Sequence, residues 1–216
     1  MKTYQKFGGL AAFYLAAAYL VGIVLFLVVL DYPSITNPLD KVELLVEKQI
    51  VIFGTNLLMY VFFGVILAIL SLALYDRIKS GAAPLVQVAT VMGVIWAGSL
   101  VASGMIANAG ITPVVALYAK DPSQAALTWL GIETVANGIG NGNGEILGGL
   151  WTLLISWAAL RAGGLPKGLN FLGLLVGVVG IVSIVPGLTD LTGLFGIGQL
   201  IWFVWLGIVL LRSNAT

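Results

Sequence analysis

Six long apolar runs constrain the fold of this chain more than any other feature. Each run is about 20 residues long, which is the length that an α-helix needs to cross the hydrocarbon core of a bilayer. Hydrophobic residues make up 60% of the 216-residue chain and charged residues 9%, so a soluble core of this size could not bury them all. We therefore predict an all-α polytopic membrane protein, a six-transmembrane-helix bundle that forms a single transmembrane domain over residues 1–216. The predicted spans are 7–30, 50–74, 85–107, 144–160, 169–185 and 191–211.

Positive charges are distributed unevenly between the two ends of these spans, and their asymmetry predicts the orientation. With a cytoplasmic N-terminus, the inner face carries seven basic residues and one acid, whereas the outer face carries three basic residues and eight acids. We therefore expect both termini inside. The inner basic residues are Lys2, Lys6, Arg77, Lys79, Arg161, Lys167 and Arg212.

Absent residue types exclude several functional classes. The chain has no Cys and no His, which removes thiolate nucleophiles, disulfides, structural zinc and the usual imidazole ligands of haem. A net charge of +1 provides no basic field for nucleic acid. No catalytic signature occurs in the sequence. We therefore predict no cofactor, no metal site and no nucleic-acid partner. A non-enzymatic protein is favoured over an enzyme.

The links between the runs differ in length. Residues 75–81 and 161–168 combine charges with glycine and are predicted to be tight hairpin turns. The two longer links are extracytoplasmic in the predicted topology. The first should form a short amphipathic helix after Pro38, which either leads straight into the second span or lies on the membrane surface. The second should form a helix over residues 124–136 that follows an Asp121-Pro-Ser start signal.

Glycines are concentrated where the second long link meets the fourth span. A continuous helix from Pro122 to Arg161 would be about 60 Å long, twice the bilayer core, so the chain must break near glycines 138, 140, 142 and 144. Gly140, Gly144 and Gly148 have helical spacing and predict a face for close helix packing, or less favourably a dimer seam. Gly173 and Gly177 repeat that spacing in the fifth span.

Polar residues within or beside the spans are the candidate site, because a polar group in hydrocarbon must find a partner. Asn56, Ser103 and Asn108 are predicted to share an outward-opening pocket with Glu145 and Asp190 at its rim. Ordinary hydrogen bonding between helices is an equal alternative for the first three. Helix capping is the favoured alternative for Glu145 and Asp190.

Three asparagines and a third acid complete the candidates for ligand binding. Asn137, Asn141 and Asn143 stand among the glycines, where successive backbone N–H groups could bind an anion, although a loop of turn-forming residues explains them more simply. Glu133 is a further acidic candidate on the predicted helix over residues 124–136.

A family resemblance covers the fourth and fifth spans. The carrying residues are the Gly148-Gly-Leu-Trp151 entry, the Arg161-Ala-Gly-Gly-Leu-Pro166-Lys167 turn and the Leu-Gly-rich start of the fifth span, through residue 173. This pattern resembles a prokaryotic family of six-span integral membrane proteins catalogued as a domain of unknown function. The resemblance implies the six-span topology and a prokaryotic plasma-membrane location, and it implies no site.

Three functions remain as hypotheses at this point. The leading one is a non-enzymatic protein whose outward-facing polar pocket binds or transports a small molecule, a lipid or a cation. The second is an accessory or assembly subunit of a larger membrane complex, or a homo-oligomer. The third is an enzyme acting on a lipid or isoprenoid with a carboxylate acid. The three-plus-three arrangement of spans would also fit an inverted repeat.

Overall fold

The computed structural model describes residues 2–140 and 145–212, and no strand occurs in these ranges. The predicted all-α class is therefore confirmed. The α-helices are α1 (Lys2–Ile23), α2 (Pro38–Asn56), α3 (Phe63–Tyr118), α4 (Pro122–Ile139), α5 (Ile146–Ala162), α6 (Lys167–Val182) and α7 (Leu191–Arg212). Two π-helical stretches, Val24–Val29 and Leu57–Phe62, follow α1 and α2, and a short 3-10 helix covers Tyr32–Ser34.

Three helical stretches are long and apolar enough to cross a membrane: Tyr4–Val29, Pro38–Tyr118 and Leu191–Arg212. The helices α5 and α6 are apolar but shorter, with 17 and 16 residues. Large hydrophobic side chains also stay on the surface, among them Ile50, which is 83% exposed. A surface of this kind suits lipid, so the chain has the character of a membrane protein.

The stretch Pro38–Tyr118 contains a sharp break at Ala82, whose φ of −151° and ψ of 45° leave helical geometry. Residues equally far from Ala82 along the chain lie together. Gly93 lies against Ser71, and the Asn56 side chain bonds that of Asn108. The chain therefore doubles back at Ala82 into two antiparallel arms.

The predicted hairpin turn at residues 75–81 is wrong in its position. These residues are helical and continue α3, and the helix brings Asp76 and Lys79 together as an i,i+3 ion pair on one face. The turn comes at Ala82, just before Pro84, a residue that fits the first turn of a new helix. Arg77 faces inward and donates from Nε to the Gly164 carbonyl at 2.8 Å.

The predicted turn over 161–168 is confirmed. The helix α5 ends at Ala162, and Gly163 follows with a φ of 69°, a left-handed conformation that glycine adopts without steric cost. Pro166 then precedes α6.

The described chain forms two compact units. The tryptophan unit comprises Met1–Ala17, Gly64–Gly98 and Asn143–Thr216, and the cavity unit comprises Ala18–Phe63 and Ser99–Gly142.

Aromatic side chains form the core of the tryptophan unit. Trp151 is fully buried, and its ring centroid lies 5.7 Å from that of Trp96 and 5.6 Å from that of Trp202. Phe203 packs against both Trp151 and Trp202. Rings at these separations contribute packing energy beyond their buried area. The large aromatic residues of this unit therefore hold its helices together.

The helices α5 and α6 approach through glycine. A Cβ atom on Gly149 would lie 2.7 Å from the Gly177 carbonyl oxygen and 2.8 Å from the Ile181 nitrogen, so the two backbones touch. Gly173 packs against Ser156 and Trp202. The predicted close packing of Gly173 and Gly177 is confirmed.

The predicted packing face of Gly140, Gly144 and Gly148 is wrong, because one helix does not carry them. Gly140 follows the end of α4 and lies against Ser103, while Gly148 belongs to α5 and lies against Trp96. Gly144 lies outside the described residues. The predicted helix break is confirmed, because α4 ends at Ile139 and α5 begins at Ile146.

Two capped helices, α2 and α4, lie within the cavity unit. Asn37 accepts a hydrogen bond from the Leu39 nitrogen and starts α2, and Asp121 accepts one from the Gln124 nitrogen and starts α4. Both predicted helices are thus present, and the first leads straight into the second apolar run through Leu57–Phe62. Their inner faces share one apolar cluster with the end of α3, and this packing fixes α2 against α4. The buried members are Leu30, Val42, Leu45, Ile52, Ile111, Val114, Ala125, Ala126 and Trp129.

Candidate functional site

A small cavity lies within the cavity unit, lined by residues of α2, α3 and α4 and of both π-helical stretches. Its volume is about 70 Å³, which is room for a few water molecules or a small organic group. Polar and aromatic side chains supply much of its wall. The lining residues are Phe26, Leu30, Tyr32, Ile52, Asn56, Tyr60, Ser103, Ala107, Trp129, Glu133, Ala136 and Asn137.

A paired carboxylate lies at this cavity. Glu133 accepts hydrogen bonds from the Lys41 ammonium at 3.0 Å to Oε1 and 2.9 Å to Oε2. Its Oε1 also accepts the Tyr32 hydroxyl at 2.7 Å. Lys41 Nζ lies 4.9 Å from the centre of the Tyr32 ring, within the range of a cation–π contact. One carboxylate, one ammonium and one phenol therefore form a compact network.

The local sequence explains why these groups meet. Lys41 lies in the first turn of α2, directly after the Asn37 cap, and Glu133 lies one helical turn after Trp129 on α4. Trp129 belongs to the apolar cluster that joins α2 to α4, so burying it brings Glu133 to Lys41. Tyr32 follows Asp31, whose φ of 44° turns the chain between α1 and α2.

The Tyr32 hydroxyl acts as a fixed donor. Burial, together with the hydrogen bond to Glu133, raises the pKa of Tyr32 well above its usual value. The phenol therefore remains protonated and donates to the carboxylate. Its oxygen in turn accepts from Trp129 Nε1 at 3.3 Å, which orients the ring.

Amide and hydroxyl groups occupy another part of the wall. Asn56 donates from Nδ2 to Asn108 Oδ1 at 2.9 Å, and Asn108 donates from Nδ2 to the Phe53 carbonyl at 3.2 Å. Ser103 donates from Oγ to the Ala136 carbonyl at 2.8 Å. Asn56 and Ser103 are buried. Asn56 and Ser103 act as donors in these bonds, so the Asn56 Oδ1 atom and the lone pairs of Ser103 Oγ remain available as acceptors.

Both π-helical stretches contribute aromatic wall residues. Phe26 lies in Val24–Val29 and Tyr60 in Leu57–Phe62, and both line the cavity. Helical backbone with i to i+5 bonding is rare and occurs frequently at functional sites, because it displaces side chains from regular register. Two such stretches at one cavity mark it as a place where the fold departs from simple helix packing.

The predicted site residues divide into three groups. Asn56, Ser103, Glu133 and Asn137 line the cavity, although Asn137 is exposed overall, and Asn108 reaches it through its bond to Asn56. Two others, Glu145 and Asp190, belong to the tryptophan unit. The remaining two, Asn141 and Asn143, lie outside the described residues.

Glu145 and Asp190 precede helices in the tryptophan unit. Glu145 stands before α5, but its side chain makes no capping bond, and no described residue donates to its buried Oε2. Its backbone N–H donates to Ser183 Oγ at 3.0 Å. Asp190 is exposed directly before α7, and its carbonyl accepts the Gly193 nitrogen at 3.2 Å.

Three residues of the network, Lys41, Tyr32 and Trp129, are not among the candidates predicted from the sequence. Lys41 is one of only three basic residues on the predicted outer face, which carries eight acids. Tyr32 and Trp129 match the usual aromatic residues of a membrane interface. The spacing of Trp129 and Glu133, one helical turn apart, indicates that they share a face of α4. That Lys41 of α2 meets this face follows only from tertiary packing.

Metal binding has no evident location in the described ranges, where no three His, Cys, Asp or Glu residues gather. Glu133 is already engaged by Lys41 and Tyr32. The spare acceptors and the aromatic rings suit an organic ligand with hydrogen-bond donors better than a hard cation, which needs several oxygens at once.

Replacing Tyr32 by Phe tests the network. Tyr32→Phe keeps the ring under Lys41 but removes one donor to Glu133 and leaves Trp129 Nε1 without its acceptor. We expect the free energy of unfolding in detergent micelles to fall by about 2 kcal/mol. Tyr4→Phe, on an exposed tyrosine, is the control. Equal stability of the two variants would contradict the claim that the hydrogen bonds of Tyr32 stabilise the protein.

Comparisons with protein-family models, curated proteins and solved structures found no match to this chain. The resemblance of residues 148–173 to a six-span family therefore stays a prediction.

Proposed function

We propose that this protein is a non-enzymatic integral membrane protein that binds or transports a small molecule at the cavity of the cavity unit. The observation that carries the proposal is that cavity, where amide, hydroxyl, carboxylate and aromatic side chains gather in an otherwise apolar chain. We further propose a six-span topology with both termini in the cytoplasm of a prokaryotic cell and the cavity open to the outside.

The topology is supported by charge and by helix number. The predicted inner face carries seven of the ten basic residues, as expected for cytoplasmic loops. Six apolar helical segments are available: α1, the two arms that meet at Ala82, α5, α6 and α7. In the proposed arrangement Lys41 follows span one and Glu133 follows span three, so we infer that their network lies at the outer face.

The free energy needed to bury polar side chains in the cavity wall supports a binding role. Polar groups in a membrane protein are expensive to bury and are usually retained for function. Ligand pockets typically combine apolar and aromatic walls with a few placed polar groups. Asn56 and Ser103 are placed in this way, held by hydrogen bonds to neighbouring helices with acceptor atoms left over.

Filling the cavity should abolish binding. Ala107→Leu adds three carbon atoms to the wall of a space of about 70 Å³. A panel of short alkylammonium salts, neutral polyols and short carboxylates would be tested for thermal stabilisation of the purified protein at constant ionic strength. We expect at least one compound to stabilise the wild type and none to stabilise Ala107→Leu.

A matched control is Ala109→Leu, on an exposed position two residues further along α3. This variant should respond like the wild type. Size-exclusion profiles of both variants would show that each is folded and monodisperse. The proposal fails if no compound stabilises the wild type, or if Ala107→Leu responds as strongly as Ala109→Leu.

A further inference from the structure

We propose that the ligand of this cavity is a small primary ammonium compound, and that Lys41 is a built-in occupant of the position where the ligand ammonium binds. This inference rests on the proposed binding function and specifies its ligand class. It also assigns Lys41 a role as an internal competitor, whose ammonium must leave Glu133 before an external one can bind.

The contacts of Lys41 show what the position recognises. Its ammonium bonds both oxygens of Glu133, at 3.0 and 2.9 Å, and stands 4.9 Å from the centre of the Tyr32 ring. A carboxylate on one side and an aromatic face on another are the usual recognition elements for an organic ammonium group. The side chains of Lys41 and Glu133 are 21% and 13% exposed, so the pair is mostly shielded from water.

The hydrogen-bond pattern of the wall favours a donor-rich ligand. Tyr32 gives its proton to Glu133, Ser103 gives its proton to the Ala136 carbonyl, and Trp129 gives its proton to Tyr32. Acceptor capacity remains on the Asn56 oxygen, the Ser103 lone pairs and the outer lone pairs of Glu133. An ammonium group offers three donors and needs no acceptor.

The walls also limit the size of the ligand. A volume of about 70 Å³ admits a short carbon chain, and Phe26, Leu30 and Ile52 provide apolar surface for it. Lys41 is partly exposed on a flexible stem, so it can swing towards water when another ammonium replaces it. A primary ammonium with a short alkyl group therefore meets the charge, donor and size requirements together.

Chemical rescue tests this inference. Lys41→Met removes the internal ammonium and keeps the length of the stem, which leaves Glu133 without its cation. Ethylammonium chloride should then stabilise the Lys41→Met protein saturably, with an apparent affinity at least ten times higher than for the wild type. Tetramethylammonium chloride at equal ionic strength is the comparison salt, because it carries the charge but has no N–H donor.

Two further variants separate the site from general effects of charge. Adding Glu133→Gln to Lys41→Met should abolish the ethylammonium effect, because the acceptor carboxylate is lost. Lys120→Met removes an exposed lysine and should respond like the wild type. If Lys41→Met is too unstable to purify, Lys41→Gln, which retains a donor for Glu133, allows the same titration.

The outcomes distinguish this inference from the proposed function. The ligand class is wrong if tetramethylammonium stabilises Lys41→Met as well as ethylammonium does, or if the double variant keeps the effect. A neutral compound whose binding is lost in Ala107→Leu, with no ethylammonium effect in Lys41→Met, would overturn the ligand class and leave the binding function standing. Absence of any binding would overturn both.

Discussion

Gly149→Ala should lower the free energy of unfolding by about 3 kcal/mol, at the upper end of the usual cost of overpacking. The added methyl group would lie 2.7 Å from the Gly177 carbonyl oxygen and 2.8 Å from the Ile181 nitrogen. These neighbours are backbone atoms and cannot rotate away, so α5 and α6 must separate. Denaturation in mixed detergent micelles measures the change.

Gly193→Ala on α7 is the matched control for this glycine. Nothing lies within 4 Å of the Cβ position at Gly193, so the substitution adds helix propensity without a clash. Its stability should equal or exceed that of the wild type. Equal loss in the two variants would show that the backbone contact between α5 and α6 does not stabilise the fold.

Trp151→Ala should lower the free energy of unfolding by about 4 kcal/mol, within the range for an aromatic side chain lost from a packed interior. Trp151 is fully buried and contacts the rings of Trp96, Trp202 and Phe203, so its removal leaves a large void. Inside a bilayer the loss is mainly of van der Waals contact, because lipid is as apolar as the core.

Trp157→Ala, on the same helix, is the control for Trp151→Ala, because it removes the same side chain from an exposed position. Trp157 is 42% exposed and stacks under the Arg161 guanidinium at 5.1 Å. Its loss should cost about 1 kcal/mol, the size of an exposed cation–π contact. Comparable destabilisation by both substitutions would contradict the assignment of Trp151 as the core of the tryptophan unit.

The helices were predictable where the signal is local. Asp121 followed by proline marks the start of α4, and Gly163 followed by Pro166 marks the turn between α5 and α6. Capping and left-handed glycine depend on a few adjacent residues, so sequence alone reveals them. The turn at Ala82 was misplaced because Asp76 and Lys79 are polar, and polar residues alone do not end a helix.

The site was predictable only in part. Asn56 and Ser103 stand out because amides and hydroxyls are costly within apolar helices. Lys41 and Glu133 are 92 residues apart, and their pairing depends on how α2 packs on α4. Helical spacing within one element indicates which residues share a face, but it carries no information on the face of another element that they meet.

The most direct test of the central claim is the location of a bound ammonium. We expect ethylammonium at saturating concentration to give nuclear Overhauser contacts between its methyl protons and the ring protons of Tyr32 or Tyr60 in the Lys41→Met protein carrying labelled tyrosine. Tyr32→Phe and Tyr60→Phe variants would assign those signals. Saturable binding whose contacts are confined to tyrosines outside the cavity, such as Tyr4 and Tyr75, would contradict a ligand site at Glu133.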